Sequence, residues 1–175
     1  MIKKLASRIV YENKWMKVRE DNVEFANGSK GIYGVVEKSD AAMIIPEVSQ
    51  DVYVLVRPYR YTIGKALWEF PHGSLEGEKA KAEKIARQEL QEETGYTAQK
   101  IDRLSTLHIA YGYSTQVVHI FLAKDLVSGE NKREVGELDM EVKTFSAQQI
   151  EDLIVAGEIT DTQTIAAWSI LKLKT

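Results

Sequence analysis

Acidic residues recur at helical spacing in one stretch of the 175-residue sequence, Gln88-Glu89-Leu90-Gln91-Glu92-Glu93-Thr94-Gly95. On a wheel of about 100° per residue, Ala82 and Ala86 face one way with Ile85 and Leu90 beside them. Lys84, Arg87, Gln88 and Gln91 hold the opposite side. Glu89 and Glu93 fall in the middle of the apolar sector and Glu92 on its margin, whereas a helix that only solvates its acids would place them among the lysines. Carboxylates four residues apart repel one another, and partial burial makes each charge costly, so the pattern requires something positive in front of it. The ligands on offer are oxygens, there is no cysteine, and His72, His108 and His119 are dispersed. The cation expected is therefore a hard one, Mg²⁺ or Mn²⁺, and not zinc.

The elements that must position this helix are legible around it. The N-terminal part reads as strands at Ile9 to Tyr11, Trp15 to Glu20 and Asn22 to Ala26, then an Asn27-Gly28 hairpin signal and a strand at Ile32 to Val36. Further strands are expected at Ala42 to Ile45 and Tyr53 to Tyr59, with a polar link from Pro46 to Asp51. The helix is expected from Lys79 to Thr94 with Gly95 as a left-handed cap. Strands resume at Ile101 to Ala110 and Val117 to Leu122, a loop covers Val127 to Gly136, and a strand follows at Met140 to Phe145. Ser146 with Gln149 forms a capping box, Gly157 a stop, and Asp161 starts a last helix. The fold class is α/β (α+β), with residues 1–40 as a small antiparallel unit and 41–175 as the main domain.

Composition bounds the function. A net charge of -3 provides no basic field for nucleic acid or anionic lipid, so a small-molecule substrate is favoured. The lack of cysteine excludes a disulfide framework and suits a reducing compartment. The apolar stretch near the start is interrupted by Ser7 and Arg8, and no apolar run reaches membrane-spanning length. A cytoplasmic protein without membrane contact is expected.

Arg57 and Arg60 flank Pro58-Tyr59 near the end of a strand, and guanidinium groups suit phosphate oxygens. The competing account is an ion pair with Glu69 or a surface role at a sheet edge.

Gly73 together with residues 88 to 96 resembles the Nudix box, in which Gly, five residues, Glu and seven residues precede Arg-Glu-apolar-x-Glu-Glu-x-Gly-apolar. Counted without gaps, Gln88 stands at the box arginine, Ala80 at its first glutamate and Ser74 at its glycine. A one-residue insertion instead restores Gly73 and Arg87 and leaves the first glutamate to Glu78 or Glu83. Gly31 to Val36, Val56 to Tyr61, Leu67 to Pro71, Tyr111 to Ser114 and Gly157 to Asp161 extend the likeness to the ADP-ribose pyrophosphatase and nucleoside-diphosphate-sugar hydrolase branch.

The resemblance implies a Nudix α/β/α sandwich with a mixed sheet, an N-terminal antiparallel unit that forms a homodimer, and Mg²⁺ as cofactor, with Mn²⁺ as the alternative. It implies metal ligation by Glu89, Glu92, Glu93 and the His72 carbonyl, and a catalytic part for Glu92. Glu69 would reach the metal or the terminal sugar. The general base would be Glu137, with Glu134, Asp139 or Glu141 as alternatives. The implied reaction is hydrolysis of the diphosphate bond of ADP-ribose or a nucleotide sugar to a nucleoside monophosphate and a sugar phosphate. The alternatives are a non-catalytic nucleotide sensor and a hydrolase of dinucleoside polyphosphates. Trp15 or Tyr11 is a candidate for stacking on the base, against an ordinary core or interface role.

Overall fold

The computed structural model describes residues 1–75, 81–130 and 139–174, which divide into two units. The first contains 1–40 and 108–117, the second 41–107 and 118–175.

In the first unit β1 (Lys3–Glu12), β2 (Met16–Glu24) and β3 (Lys30–Lys38) form an antiparallel sheet in that order. The Asn27-Gly28 hairpin is present, with Gly28 N donating to Phe25 O at 2.9 Å. The two strands expected at 15–20 and 22–26 are one strand, β2. Asp21, which lies between the two expected segments, is buried but satisfied: Ser7 Oγ donates to it at 2.5 Å and Arg19 Nε lies 3.0 Å away. A buried carboxylate paired in this way no longer opposes the strand. Residues 113–115 add to the far edge, where Val36 N donates to Tyr113 O at 2.7 Å and Thr115 N to Val36 O at 3.0 Å.

The second unit is built on β4 (Ala41–Ser49), β5 (Val52–Arg57), β9 (Tyr96–His108), β10 (Val117–Ser128) and β11 (Glu141–Ser146), ordered β11-β5-β4-β10-β9. β4 runs parallel to β10 and antiparallel to β5, so the sheet is mixed. The short strands β6 (Tyr59–Arg60) and β7 (Lys65–Ala66) form a hairpin, and β8 (His72–Ser74) pairs with β4.

β4 is buried on both faces through Pro46. Ala42 and Ile44 pack with Phe121 and Ala123 against Ala86 and Leu90 of α1 (Ala82–Thr94). Each large apolar side chain buried here is worth about 1.5–3 kcal/mol. Met43 and Ile45 point the other way. Tyr53, opposite Glu47 in register, shares that second face and meets the ring of Trp168 edge-on at 5.1 Å. Trp168 belongs to α3 (Thr162–Lys174), so helices α1 and α3 cover opposite faces. Burial, with Glu47 and Asp51 nearby, pushes the Tyr53 hydroxyl up to about 12. Helix α2 (Ala147–Ala156) starts with the expected capping box on Ser146 and Gln149 and ends at Gly157. Among the described residues no helix is long and apolar enough to cross a membrane.

Several boundaries differ from expectation. β4 continues past Pro46 to Ser49, and its partners on β5 stand opposite Glu47 and Ser49, so no β5 partner faces the proline. β10 continues to Ser128, so the expected loop at 127–136 begins later, and residues 131–136 of it lie outside the described residues. β9 begins directly after Gly95 and ends at His108. Lys81 caps α1, and the helix residues expected at 79 and 80 also lie outside the described residues.

Candidate active site

β4 and β5 pair only near their shared turn and then diverge, and the chain from Glu69 to Ser74 fills the wedge between them. On one side Val56 N and Glu69 O, and Glu69 N and Val56 O, bond at 2.9 Å each. On the other, Ile44 N donates to Pro71 O at 3.0 Å, and His72, Gly73 and Ser74 stand opposite Met43, Ala42 and Ala41. A third anchor comes from α3. Phe70 N donates to the hydroxyl of Thr164, which is fully buried, at 3.1 Å, and Thr164 N donates to Asp161 Oδ2 at 2.8 Å. Each of these backbone ties runs to a rigid element, which is what a precise site needs.

The acid-bearing face of α1 lies against this wedge. Ala86, Leu90 and Glu93 are buried, Glu93 with only 4% exposure, while Glu89 and Glu92 are half-buried. The inner sector expected from the wheel is the inner sector found. Glu89 sits directly over Gly73: a Cβ at that glycine would stand 1.8 Å from Glu89 Oε1. The helix stops at Gly95, whose φ of 78° suits glycine and whose N–H closes on Gln91 O at 2.9 Å.

Arg60 joins the wedge from β6. Its Nη2 is hydrogen-bonded to Glu69 Oε1, its Nε donates to Glu69 Oε2 at 3.3 Å, and Nη2 lies 3.3 Å from His72 Nε2. Burial lowers the proton affinity of Arg60. The Glu69 hydrogen bond and the charges of Glu69, Glu93 and Asp161 outweigh it and hold the guanidinium above its ordinary range. Arg60, Glu69, Glu93 and Asp161 thus share one electrostatic environment. Sequence reasoning finds Asp161 as a helix start and as the end of a segment that carries the family likeness, without a role in the site, and Thr164 carries no signal in the sequence beyond its place in the first turn.

The ion pair with Glu69 weighed for both arginines is made by Arg60 and not by Arg57. Arg57 instead reaches Glu141 Oε1 at 3.0 Å and lies 5.7 Å from the Trp68 ring centre. The two residues stand directly opposite in the β5/β11 register. Lys143 first, and then Arg57, draw the Glu141 carboxyl below its usual range. Glu78, Glu134 and Glu137 lie outside the described residues. In the first unit Trp15 and Tyr11 are both exposed, and Lys14 Nζ lies 4.3 Å from the Trp15 ring centre.

Among the described residues no three acidic or histidine side chains are gathered into a cation-holding group, so the three glutamates share a helix face and not yet a common point. The donor set still fits a hard divalent ion: all its side-chain donors are carboxylates, and the bare backbone at Gly73 makes the space that the Glu89 carboxylate occupies. What the arrangement can do chemically is hold a cation with oxygens and an anion with Arg60.

Residues 2–36 match the family model described as nucleoside diphosphate sugar hydrolase N-terminal domain, and residues 37–166 match the NUDIX domain. The ADP-ribose pyrophosphatase of Bacillus subtilis (strain 168) is 30% identical over 174 residues, covering 98% of this chain and 93% of that protein. The methanol dehydrogenase activator of Bacillus methanolicus is 26% identical with the same coverage of each. A crystal structure of an ADP compounds hydrolase shares the fold, with a TM-score of 0.86, 22% identity and coverage of 98% of this chain and 92% of the other. With the box helix, its glycine and the mixed sheet in place, the chain belongs to the Nudix hydrolase family, whose members generally use divalent metal ions.

Proposed function

We propose that this hydrolase cuts the diphosphate bond of a nucleoside diphosphate linked to a sugar, that ADP-ribose is its substrate of first choice, and that Mg²⁺ is its cation. The observation that carries the reading is Glu89 lying over Gly73, with buried Glu93 close enough for its charge to act on the Arg60 of the Arg60–Glu69 pair. The names borne by the Bacillus subtilis relative and by the N-terminal family model support the substrate class.

Glu89, Glu92, Glu93 and the His72 carbonyl would hold the ion, Mg²⁺ or in its place Mn²⁺. Once bound, it supplies charge neutralisation on the diphosphate and a lowered pKa for the attacking water. Arg60 grips a phosphate oxygen, a task that suits a guanidinium fork better than an ammonium. Glu69 keeps that fork in place, and it is also the residue closest in role to the terminal sugar. Arg57, engaged by Glu141, contributes at the rim. A carboxylate takes the proton of the attacking water, and Glu137 is the candidate, with Glu134, Asp139 and Glu141 as alternatives.

With Mg²⁺ present, ADP-ribose and nucleotide sugars are expected to turn over faster than a diadenosine polyphosphate, and exhaustive EDTA treatment to stop the reaction. Faster diadenosine polyphosphate cleavage would change the substrate class. Tight nucleotide binding without turnover would make the protein a sensor, and activity that survives chelation would remove the metal from the account.

The N-terminal sheet supports a second proposal, a homodimer formed through this unit. β1 is exposed along its whole length and carries Leu5, Ile9, Val10 and Tyr11 at a sheet edge, where unpaired strands seek a partner. Sedimentation should report a dimer for the full chain; a monomer at micromolar concentration would end that proposal.

A further inference from the structure

The reaction as described uses His72 only through its main-chain carbonyl and leaves its imidazole without a task. Its surroundings determine the tautomer. Nδ1 lies 3.2 Å from Phe70 O, and because a carbonyl oxygen only accepts, Nδ1 carries the hydrogen and donates. Nε2 lies 3.3 Å from Arg60 Nη2, and because a guanidinium only donates, Nε2 offers a lone pair and accepts. Both contacts are met at once by the tautomer with its hydrogen on Nδ1. The 3.6 Å from Nδ1 to Glu69 Oε1 is too long for a hydrogen bond and leaves Glu69 to Arg60.

The donor inventory of Arg60 then has a consequence. Nε and Nη2 are spent on Glu69 and His72, and among the described residues Nη1 makes no hydrogen bond. A guanidinium held by one carboxylate can swing with that carboxylate. A second anchor prevents this, and His72 is itself tied down twice, by β8 pairing to β4 and by its ring bond to Phe70 O. The Arg60 side chain keeps 40% of its exposure, so a donor edge remains accessible to a ligand.

We propose that His72 is a positioning residue: its imidazole, locked by the Phe70 carbonyl, holds the Arg60 guanidinium against Glu69 so that the open Nη1 edge meets an oxygen of the substrate diphosphate. The inference rests on the reading of Arg60 as a diphosphate ligand.

In the full chain with Mg²⁺, His72→Ala should raise KM for ADP-ribose about tenfold, equivalent to about 1.4 kcal/mol, with kcat changed by less than about threefold, the mark of lost uniform binding. His72→Gln, whose amide oxygen can accept from Arg60, should restore most of the affinity, and His72→Phe, bulky but without an acceptor, should not. In an Arg60→Ala background the His72→Ala change should add nothing. Independently of turnover, solvent exchange of the Arg60 Nε–H, followed by ¹⁵N NMR in the metal-free protein, should quicken in His72→Ala and slow again in His72→Gln. An unchanged KM, equal losses in the Gln and Phe variants, additive effects in the double variant, or a shift in the Mg²⁺ requirement in place of KM would each overturn the proposal. If the wild type turns over no sugar nucleotide at all, the functional reading falls, while the exchange measurement still decides whether His72 holds Arg60.

Discussion

Replacing Glu93 with Gln is expected to lower kcat on ADP-ribose by on the order of 10³-fold, the scale seen when one preorganised electrostatic group is removed from a reacting centre, and to leave the protein folded. Glu93 has 4% exposure and lies on the same helix face as Glu89, four residues away. Gln keeps its shape and removes a charge that is costly to bury and repelled by its neighbour. Arg60 retains Glu69 as its hydrogen-bonded partner, so that guanidinium is not stranded. In metal-free buffer the melting temperature should therefore hold or rise. Added Mg²⁺ should stabilise the wild type, by about 2.7 kcal/mol at a hundredfold excess over its Kd, and stabilise the variant less. Thermal unfolding with and without Mg²⁺, beside initial rates, separates the two effects. Wild-type turnover in the Gln variant would remove Glu93 from the metal site, and a large loss of stability without metal would show that its charge serves the fold.

The position of Glu93 was legible in the sequence because a helix repeats every 3.6 residues, and one apolar stripe of alanines and leucine is enough to orient it. The turn and cap residues were legible for a similar reason: Gly95, Gly157, Asn27-Gly28 and Ser146 act on their own neighbours. What the sequence hid was set by partners distant along the chain. Arg57 and Arg60 are three residues apart and chemically alike, yet one pairs with Glu141 and the other with Glu69. The difference arises because β11 lies beside β5, while the wedge between β4 and β5 admits the chain carrying Glu69. No periodicity records which strand is the neighbour. Strand ends were hidden likewise: Pro46 looked like a stop, yet β4 runs past it to pair with β5 at Glu47 and Ser49. The hydroxyl of Thr164 is invisible in sequence for the same reason, its partner Phe70 lying in a segment far upstream.

Gly73→Ala is the sharper test of the site, because it should damage function while barely touching stability. The backbone at Gly73 is not left-handed, so alanine meets no conformational penalty there, and shortening the list of unfolded conformations favours alanine by about 0.4–1 kcal/mol. The added methyl would stand 1.8 Å from Glu89 Oε1 and 2.2 Å from its Cδ, distances that cannot be kept. The atoms it meets are the far end of a flexible side chain, so Glu89 turns aside and β8 stays paired with β4. The net change in stability should thus lie within about 1 kcal/mol of zero, below the about 1–3 kcal/mol typical of an overpacked core. The catalytic cost should be far greater, since displacing a reacting group by about 1 Å can lose about 10²-fold in rate. We expect kcat to fall by about that factor and the Mg²⁺ concentration for half-maximal activity to rise. Gly157→Ala is the converse control: at a φ of 76° capping α2 it should cost stability, about 1–2 kcal/mol, and spare the rate of each folded molecule. A Gly73→Ala protein with unchanged rate and Mg²⁺ requirement would mean that Glu89 works from somewhere other than the place above this glycine, and the oxygen-lined site would have to be rebuilt without it.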